Sequence, residues 1–248
     1  MDNERLVEQY AEIARLAGGL AHEIKNPLST IRLNMELLAE ELAESVESPQ
    51  QRRAIYKVEI VRRECLRLEE LLNDFLNFAR AHKLQLEPND VNGPIREAID
   101  FYRPLAAESK IEIIEYLSCD LPTVLLDRQS FHRAFLNLVL NAIQAMPGGG
   151  ELVVRTRSLG NLVAIDLIDT GTGIDEKTLP HLFEAFHSTK RGGSGLGLPT
   201  TRKIVEAHGG NIYVQTAIDH GTQFTLTFPS LPRLPIDEGA PDFCKKSR

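Results

Sequence analysis

Four stretches of this chain carry residue types that do chemistry, at spacings chemistry can use. In Ala21-His22-Glu23-Ile24-Lys25-Asn26-Pro27-Leu28 a histidine is followed directly by a carboxylate. A neutral imidazole is a good nucleophile near pH 7, and an adjacent carboxylate can orient it or take its proton. Asn26 lies one helical turn on, where its amide could hold a water or a phosphoryl oxygen. Asn137 and Asn141 stand four apart in Asn137-Leu138-Val139-Leu140-Asn141, so both amides face one way. Two neutral oxygen ligands on one helix face suit Mg²⁺, which keeps part of its shell as water and phosphate. Asp169-Thr170-Gly171-Thr172-Gly173 follows an apolar run. It places a carboxylate acceptor beside glycine backbone that a flat ligand can approach, and a carboxylate accepts well from an exocyclic amino group such as adenine's. Gly192-Gly193-Ser194-Gly195-Leu196-Gly197-Leu198-Pro199 puts four glycines just before a helix, exposing N–H groups and a helix dipole to an anion. Phe183 and Phe186 precede a short polar loop, His187 to Arg191, that reads as a lid, with Lys190 able to reach phosphate. Each stretch alone has a plainer reading: a solvated helix face around His22, polar surface at the asparagines, an ordinary turn at Asp169.

These groups need elements to hold them. Residues 1–86 contain two of the 17 glycines and two of the 13 prolines, so the first part reads as helical and the remainder as a mixed, turn-rich unit. Val58, Val61, Cys65, Leu68, Leu72, Phe75 and Ala79 step by three and four, as in a coiled-coil seam. Upstream, Leu6, Tyr10, Ile13, Ala17, Leu20, Ile24, Leu28, Ile31, Met35, Leu38 and Leu42 follow nearly the same rule, and Ser45–Gln51 with Pro49 reads as the connection. A lone hairpin cannot cover both stripes, so the expected solution is an antiparallel four-helix bundle made by homodimerisation. His22 falls off its stripe, about 200° from Leu20 and Ile24, and so faces water. Pro27 removes a backbone bond to Glu23 and should kink the helix beside His22.

The second part alternates. Helices are expected at Pro94–Glu108, Arg128–Met146 and Leu198–His208, and strands at Lys110–Leu117, Thr123–Leu126, Glu151–Leu159, Leu162–Ile168, Asn211–Thr216 and Thr222–Phe228. Hairpin-linked strands beside clustered helices favour an α/β sandwich with a mixed sheet over a doubly wound parallel one. The fold class is therefore α+β. Its domains are a helical hairpin over 1–86, a catalytic unit over 87–230, and a proline-marked loose tail over 231–248.

Composition excludes several classes. Apolar residues make up 42% and charged residues 25% of the 248, the proportions of a soluble globular protein. A net charge of -7 argues against a nucleic-acid partner, whose binding rests on clustered cations. No stretch approaches the ~18 apolar residues of a membrane-spanning helix, so a cytoplasmic location is expected. Three widely spaced cysteines suggest neither a disulfide framework nor a zinc cluster.

Taken together, the five segments His22–Leu28, Asn137–Ala142, Asp169–Ile174, Leu182–Phe186 and Ser194–Leu198 resemble, in their order, the motifs of the sensor histidine kinases of two-component signalling. The resemblance covers about residues 10–228. It implies a dimerisation and histidine-phosphotransfer hairpin followed by an ATPase domain of the gyrase, heat-shock-chaperone and MutL type, the Bergerat fold. It further implies that His22 is the phosphoacceptor, Glu23 its general base, and Asn26 the residue that positions water when phosphate is removed from the partner. Asn137 and Asn141 would hold Mg²⁺, and Asp169 would bind adenine above Gly171 and Gly173. Phe183 and Phe186 would frame the lid, Lys190 would meet phosphate, and Gly193, Gly195, Leu196 and Gly197 would form the phosphate loop of an ATP site. The implied partners are a second copy and a response-regulator receiver domain.

The chain departs from the family pattern in its six-residue lid between Phe186 and Gly193, in His187 where an aromatic is common, and in Pro199. With about 20 residues before His22, the expectation is that a separate sensor protein supplies the signal or that this is an excised catalytic core. Two other readings stay open here. A chaperone- or topoisomerase-like ATPase would leave His22 without a role, and a dimerising scaffold without catalysis would predict eroded nucleotide motifs.

Overall fold

The computed structural model describes residues 24–26, 28–40, 49–79, 84–187 and 194–232. They divide into two compact units, one of the described residues up to 79 with 194–196, the other of 84–187 with 197–232. The first unit is helical. Its helix α1 covers 24–26 and 28–40, and α2 is Pro49–Ala79. Ser29 Oγ donates to Glu69 Oε1 at 3.2 Å, and Arg32 lies 3.8 Å from the same carboxylate, so the two helices run side by side as the hairpin reading required. On the seam of α2, Val58 and Cys65 are buried while Val61 and Leu68 are exposed. On α1, Ile24, Ile31, Leu33, Leu37 and Leu38 are exposed as well. One correction concerns the connection: Pro49 is the first residue of α2, so 49–51 are helical. A proline at the first helical position gives up an N–H that had no partner anyway.

The second unit is a two-layer sandwich. Its elements are β1 (Glu87–Asn89), α3 (Asn92–Glu108), β2 (Ile111–Leu117), β3 (Val124–Leu126), α4 (Arg128–Ala145), β4 (Gly150–Leu159), β5 (Leu162–Asp169), α5 (Gly197–Ala207), β6 (Asn211–Ala217) and β7 (Gly221–Pro229). Five strands form a mixed sheet in the order β2-β4-β5-β7-β6, with β2 parallel to β4 and the other neighbours antiparallel. β1 and β3 make a separate antiparallel pair.

Alternation sends one face of the sheet to the helices. Val163, Ile165 and Leu167 of β5 and Phe224, Leu226 and Phe228 of β7 are buried with Ile95, Ile99, Phe131, Phe135 and Leu138 from α3 and α4. The Phe131 ring lies parallel to Phe135 and edge-on to Phe228. Each such side chain contributes about 1.5–3 kcal/mol relative to its exposed state.

The opposite face is polar and organised around Asp166, which is fully buried. Arg155 and Thr225 sit directly across from it on the two neighbouring strands. Arg155 and Arg157 donate to Oδ2 at 2.9 and 3.1 Å, and the Thr225 hydroxyl to Oδ1 at 2.8 Å. Burial pushes this carboxyl up, but the donors from Arg157, Thr225 and Arg155 together outweigh it and hold Asp166 below the ordinary range.

Candidate functional site

The site grows from the end of β5. Val163, Ile165, Leu167 and Asp169 share the helix-facing side of that strand, so the carboxylate of Asp169 closes an otherwise apolar row. It is buried, and its Oδ1 accepts the N–H of Gly171 at 2.9 Å and that of Thr222 at 3.3 Å. Those bonds fix the carboxylate from its own turn and from the start of β7.

At its two glycines the turn has no room for side chains. A Cβ on Gly171 would lie 2.6 Å from the Ala145 carbonyl and 2.8 Å from Asp169 Oδ1. Gly173 has φ +68°, and a Cβ there would collide with the Ala217 carbonyl. Backbone bonds fasten the turn on both sides: Thr172 N–H donates to Ala145 O at 3.1 Å and Asp219 N–H to Thr172 O at 2.9 Å. Ile174 N–H reaches Thr216 Oγ1 at 2.9 Å, whose hydroxyl is itself bonded to Gly221 O.

Helix α4 carries the second set. Leu138, Val139, Ala142 and Ile143 are buried, leaving Asn137 and Asn141 half-buried on another side of the helix. Asn137 Nδ2 donates to the carbonyl of Gly197, the first residue of α5, at 3.3 Å. The Thr201 hydroxyl lies 3.3 Å from Ala134 O, so α4 and α5 meet at small or polar residues. A ruler results. Ala145 touches the Asp169 turn, Asn141 is one turn back, and Asn137, beside Gly197, is two turns back. Eight residues of helix separate the carboxylate end from the start of α5 by about 12 Å.

Phe183 packs against the core, and the Arg202 guanidinium from α5 lies over its ring, 5.4 Å from the centroid. Phe186 is exposed, with φ +66°. Gly195 also has positive φ (+66°), and Leu196 N–H donates to Ser194 Oγ at 3.3 Å; these three residues group with the helical unit. Asn26 is exposed on α1, its carbonyl accepting from the Thr30 hydroxyl at 3.1 Å. His22, Glu23, Lys190 and Gly193 lie outside the described residues.

In the second unit the structure thus gathers Asn137, Asn141, Asp169, Gly171, Gly173 and Gly197 along α4. Sequence reasoning missed Thr222, Thr216 and Gly221, which hold Asp169 and its turn. The His220-Gly221-Thr222 step was readable as a turn but gave no sign of its neighbour. For a metal, the described residues contain no cluster of three or more histidine, cysteine or acidic groups. Two amide side chains without a carboxylate cage fit an ion that arrives with phosphate and water as its remaining ligands, as Mg²⁺ does.

Comparison with known proteins agrees. Residues 12–83 match the His Kinase A (phospho-acceptor) domain, and residues 126–232 the histidine kinase-, DNA gyrase B-, and HSP90-like ATPase family. Sporulation kinase E of Bacillus subtilis (strain 168) is 34% identical over 218 residues, 88% of this chain and 28% of that protein. The sensor histidine kinase ZraS of Escherichia coli (strain K12) is 32% identical over 92% of this chain and 48% of its own length. The chain therefore spans half or less of these relatives. Among solved structures, full-length ShkA in complex with AMPPNP superposes with a TM-score of 0.70 at 28% identity, covering 88% of this chain and 47% of that one. A helical phospho-acceptor unit followed by an ATPase-type sandwich, in a chain with these relatives, places the protein in the family of two-component sensor histidine kinases.

Proposed function

We propose that the chain is an ATP-dependent protein-histidine kinase that phosphorylates its own His22 and passes the phosphoryl group to an aspartate of a response regulator. The observation that carries this reading is the ruler along α4. A fixed carboxylate stands at one end beside a turn whose two glycines admit no side chain, and a glycine-led helix start beside an asparagine stands about 12 Å away. That spacing suits an elongated ligand with a flat, donor-bearing base at one end and an anionic chain at the other. The ATPase family of residues 126–232 and the AMPPNP held by ShkA favour ATP.

In this reading Asp169 accepts from the adenine amino group, and Gly171 and Gly173 let the base lie against backbone. Phe183 and Phe186 border the lid, and Lys190, Gly193, Gly195, Leu196 and Gly197 bind the phosphates. Asn141 and Asn137 would hold Mg²⁺, which when bound would supply positive charge beside the phosphates. An imidazole nitrogen of His22 attacks the γ-phosphorus, the N–P bond forms as the bond to the bridging oxygen breaks, ADP leaves, and Glu23 takes the ring proton. Asn26 orients water when phosphate is later removed from the response regulator.

The domain assignment follows: 1–86 for dimerisation and phosphotransfer, 87–230 for ATP binding, and 231–248 as a tail, with Leu231 N–H still tied to Thr123 O. On the two stripes, Val61 and Leu68 of α2 and Ile24, Ile31 and Leu38 of α1 are exposed in a single copy. A second copy would cover them, completing a four-helix bundle. No helix among the described residues is long and apolar enough to cross a membrane. The test is incubation with Mg²⁺ and ATP labelled on the γ-phosphate. Acid-labile label in the protein is expected, because phosphohistidine hydrolyses in acid. Acid-stable label, or release of phosphate with none on the protein, would reject the reading.

A further inference from the structure

Asp127 is used by nothing in the mechanism above, yet four hydrogen bonds meet at it, one of them from the Phe131 N–H to its carbonyl at 3.0 Å. It precedes α4 and caps it, Oδ1 accepting from Ser130 N–H at 2.9 Å. Its other oxygen accepts the N–H of Gln85 at 2.9 Å, at the start of the described ATP-binding unit and two residues before β1. Its own N–H donates to His208 Nε2 at 2.9 Å. That bond makes Nε2 the lone-pair nitrogen, so Nδ1 carries the proton and donates to Ile204 O at 2.7 Å, in the last turn of α5. His208 is buried edge-on against Phe228. The β1–β3 ladder pairs Glu87 with Leu126, next to the same residue. The two helices reached from Asp127 are the two that meet at Asn137 and Gly197.

We propose that Asp127 is a positioning residue that clamps the segment leaving the phosphotransfer hairpin to both α4 and α5, and so governs delivery of the phosphoryl group to His22 rather than nucleotide binding. One carboxylate serves both tasks because its two oxygens divide them, Oδ1 to the helix and Oδ2 to the entering chain. The peptide N–H of the same residue carries the connection to α5 through the neutral imidazole of His208. With Gln85 released, α4 keeps its cap and the ATP site its shape, but the chain enters β1 without a fixed starting point.

This inference rests on the kinase reading, and the experiment separates the two. Asp127→Ser keeps an oxygen that caps α4 but has none for Gln85. Gln85→Pro removes the same bond from the other side by deleting the N–H. In the full chain, each should leave the half-saturating ATP concentration within about twofold and lower the rate of His22 phosphorylation at saturating ATP roughly tenfold. The double variant should be no slower than either single one, since both remove one bond. Normal rates in either single variant, or a parallel loss of ATP affinity, would overturn the proposal. If the unaltered chain acquires no label, the kinase reading fails and amide exchange judges the clamp. A Gln85 N–H protected in the unaltered chain and released in Asp127→Ser supports it, and equal exchange in both refutes it.

Discussion

Replacing Asp169 by asparagine should separate binding from folding, because one oxygen serves the turn while adenine recognition is a proposed role of the same carboxylate. Oδ1 satisfies the N–H groups of Gly171 and Thr222. An amide keeps that oxygen, so both backbone donors stay paired and the turn should survive. At the second position the substitution exchanges an acceptor for an N–H, which in the proposed binding mode would face the amino group of adenine donor to donor. A hydrogen bond to a charged acceptor is worth about 1.5–3 kcal/mol, so ATP affinity should fall roughly 10- to 150-fold while the melting temperature moves by only a few degrees. Alanine should behave differently. It leaves two buried N–H groups unpaired at about 1–3 kcal/mol each, so Asp169→Ala should lose stability as well as binding. Titration calorimetry with ATP and thermal unfolding of both variants read the two effects. An asparagine variant that binds ATP like the unaltered chain would refute the role given to Asp169. An alanine variant that melts normally would refute the bonding scheme around it.

Three further outcomes follow from the same geometry. Asn141→Asp changes the charge of the proposed Mg²⁺ shell one turn from the Asp169 end, and should abolish autophosphorylation with the fold intact; a normal labelling rate would contradict that role. Glutamate at both Leu68 and Leu72 should give monomers by light scattering at micromolar concentration, since each leucine buried in a bundle is worth roughly 1.5–3 kcal/mol; an unaltered chain that is itself monomeric would defeat the bundle. Asp166 is held in its charged form more firmly in the folded chain than in the unfolded one, so its stabilisation is complete above about pH 4 and fades as acid protonates it at lower pH. Asp166→Asn should therefore be less stable at neutral pH and flatten the acid limb of the stability curve; an unchanged limb in chemical denaturation would assign acid sensitivity elsewhere.

Legibility tracked how local each signal was. The strand pair β4–β5 and helix α4 lie where alternation and a 3.6-residue period put them, because both patterns are set by which side chains face a core. Strand β1 was invisible: three residues with Pro88 at their centre have no period, and only pairing with β3 makes them a strand. The parallel pairing of β2 with β4 was also unreadable in detail, since β3 and α4 intervene between them. Pro49 reads as a break in the sequence, yet it starts α2. At the site, Asp169 and its two glycines could be marked from type and spacing alone. The amides that fix the carboxylate could not, because Thr222 is 53 residues further on. Asp127 and His208, 81 residues apart, meet only through the fold. Neither carries a local pattern that distinguishes it from an ordinary helix cap or a surface histidine.

Transfer of the γ-phosphate of ATP to His22 can be read in a single experiment. The unaltered chain and His22→Gln are each incubated with γ-labelled ATP and Mg²⁺, with ATP affinity measured in parallel to show that the nucleotide site is intact. Acid-labile label is expected on the unaltered chain, none on His22→Gln, and near-equal ATP affinity in both. Label persisting on His22→Gln at the unaltered level would contradict that transfer.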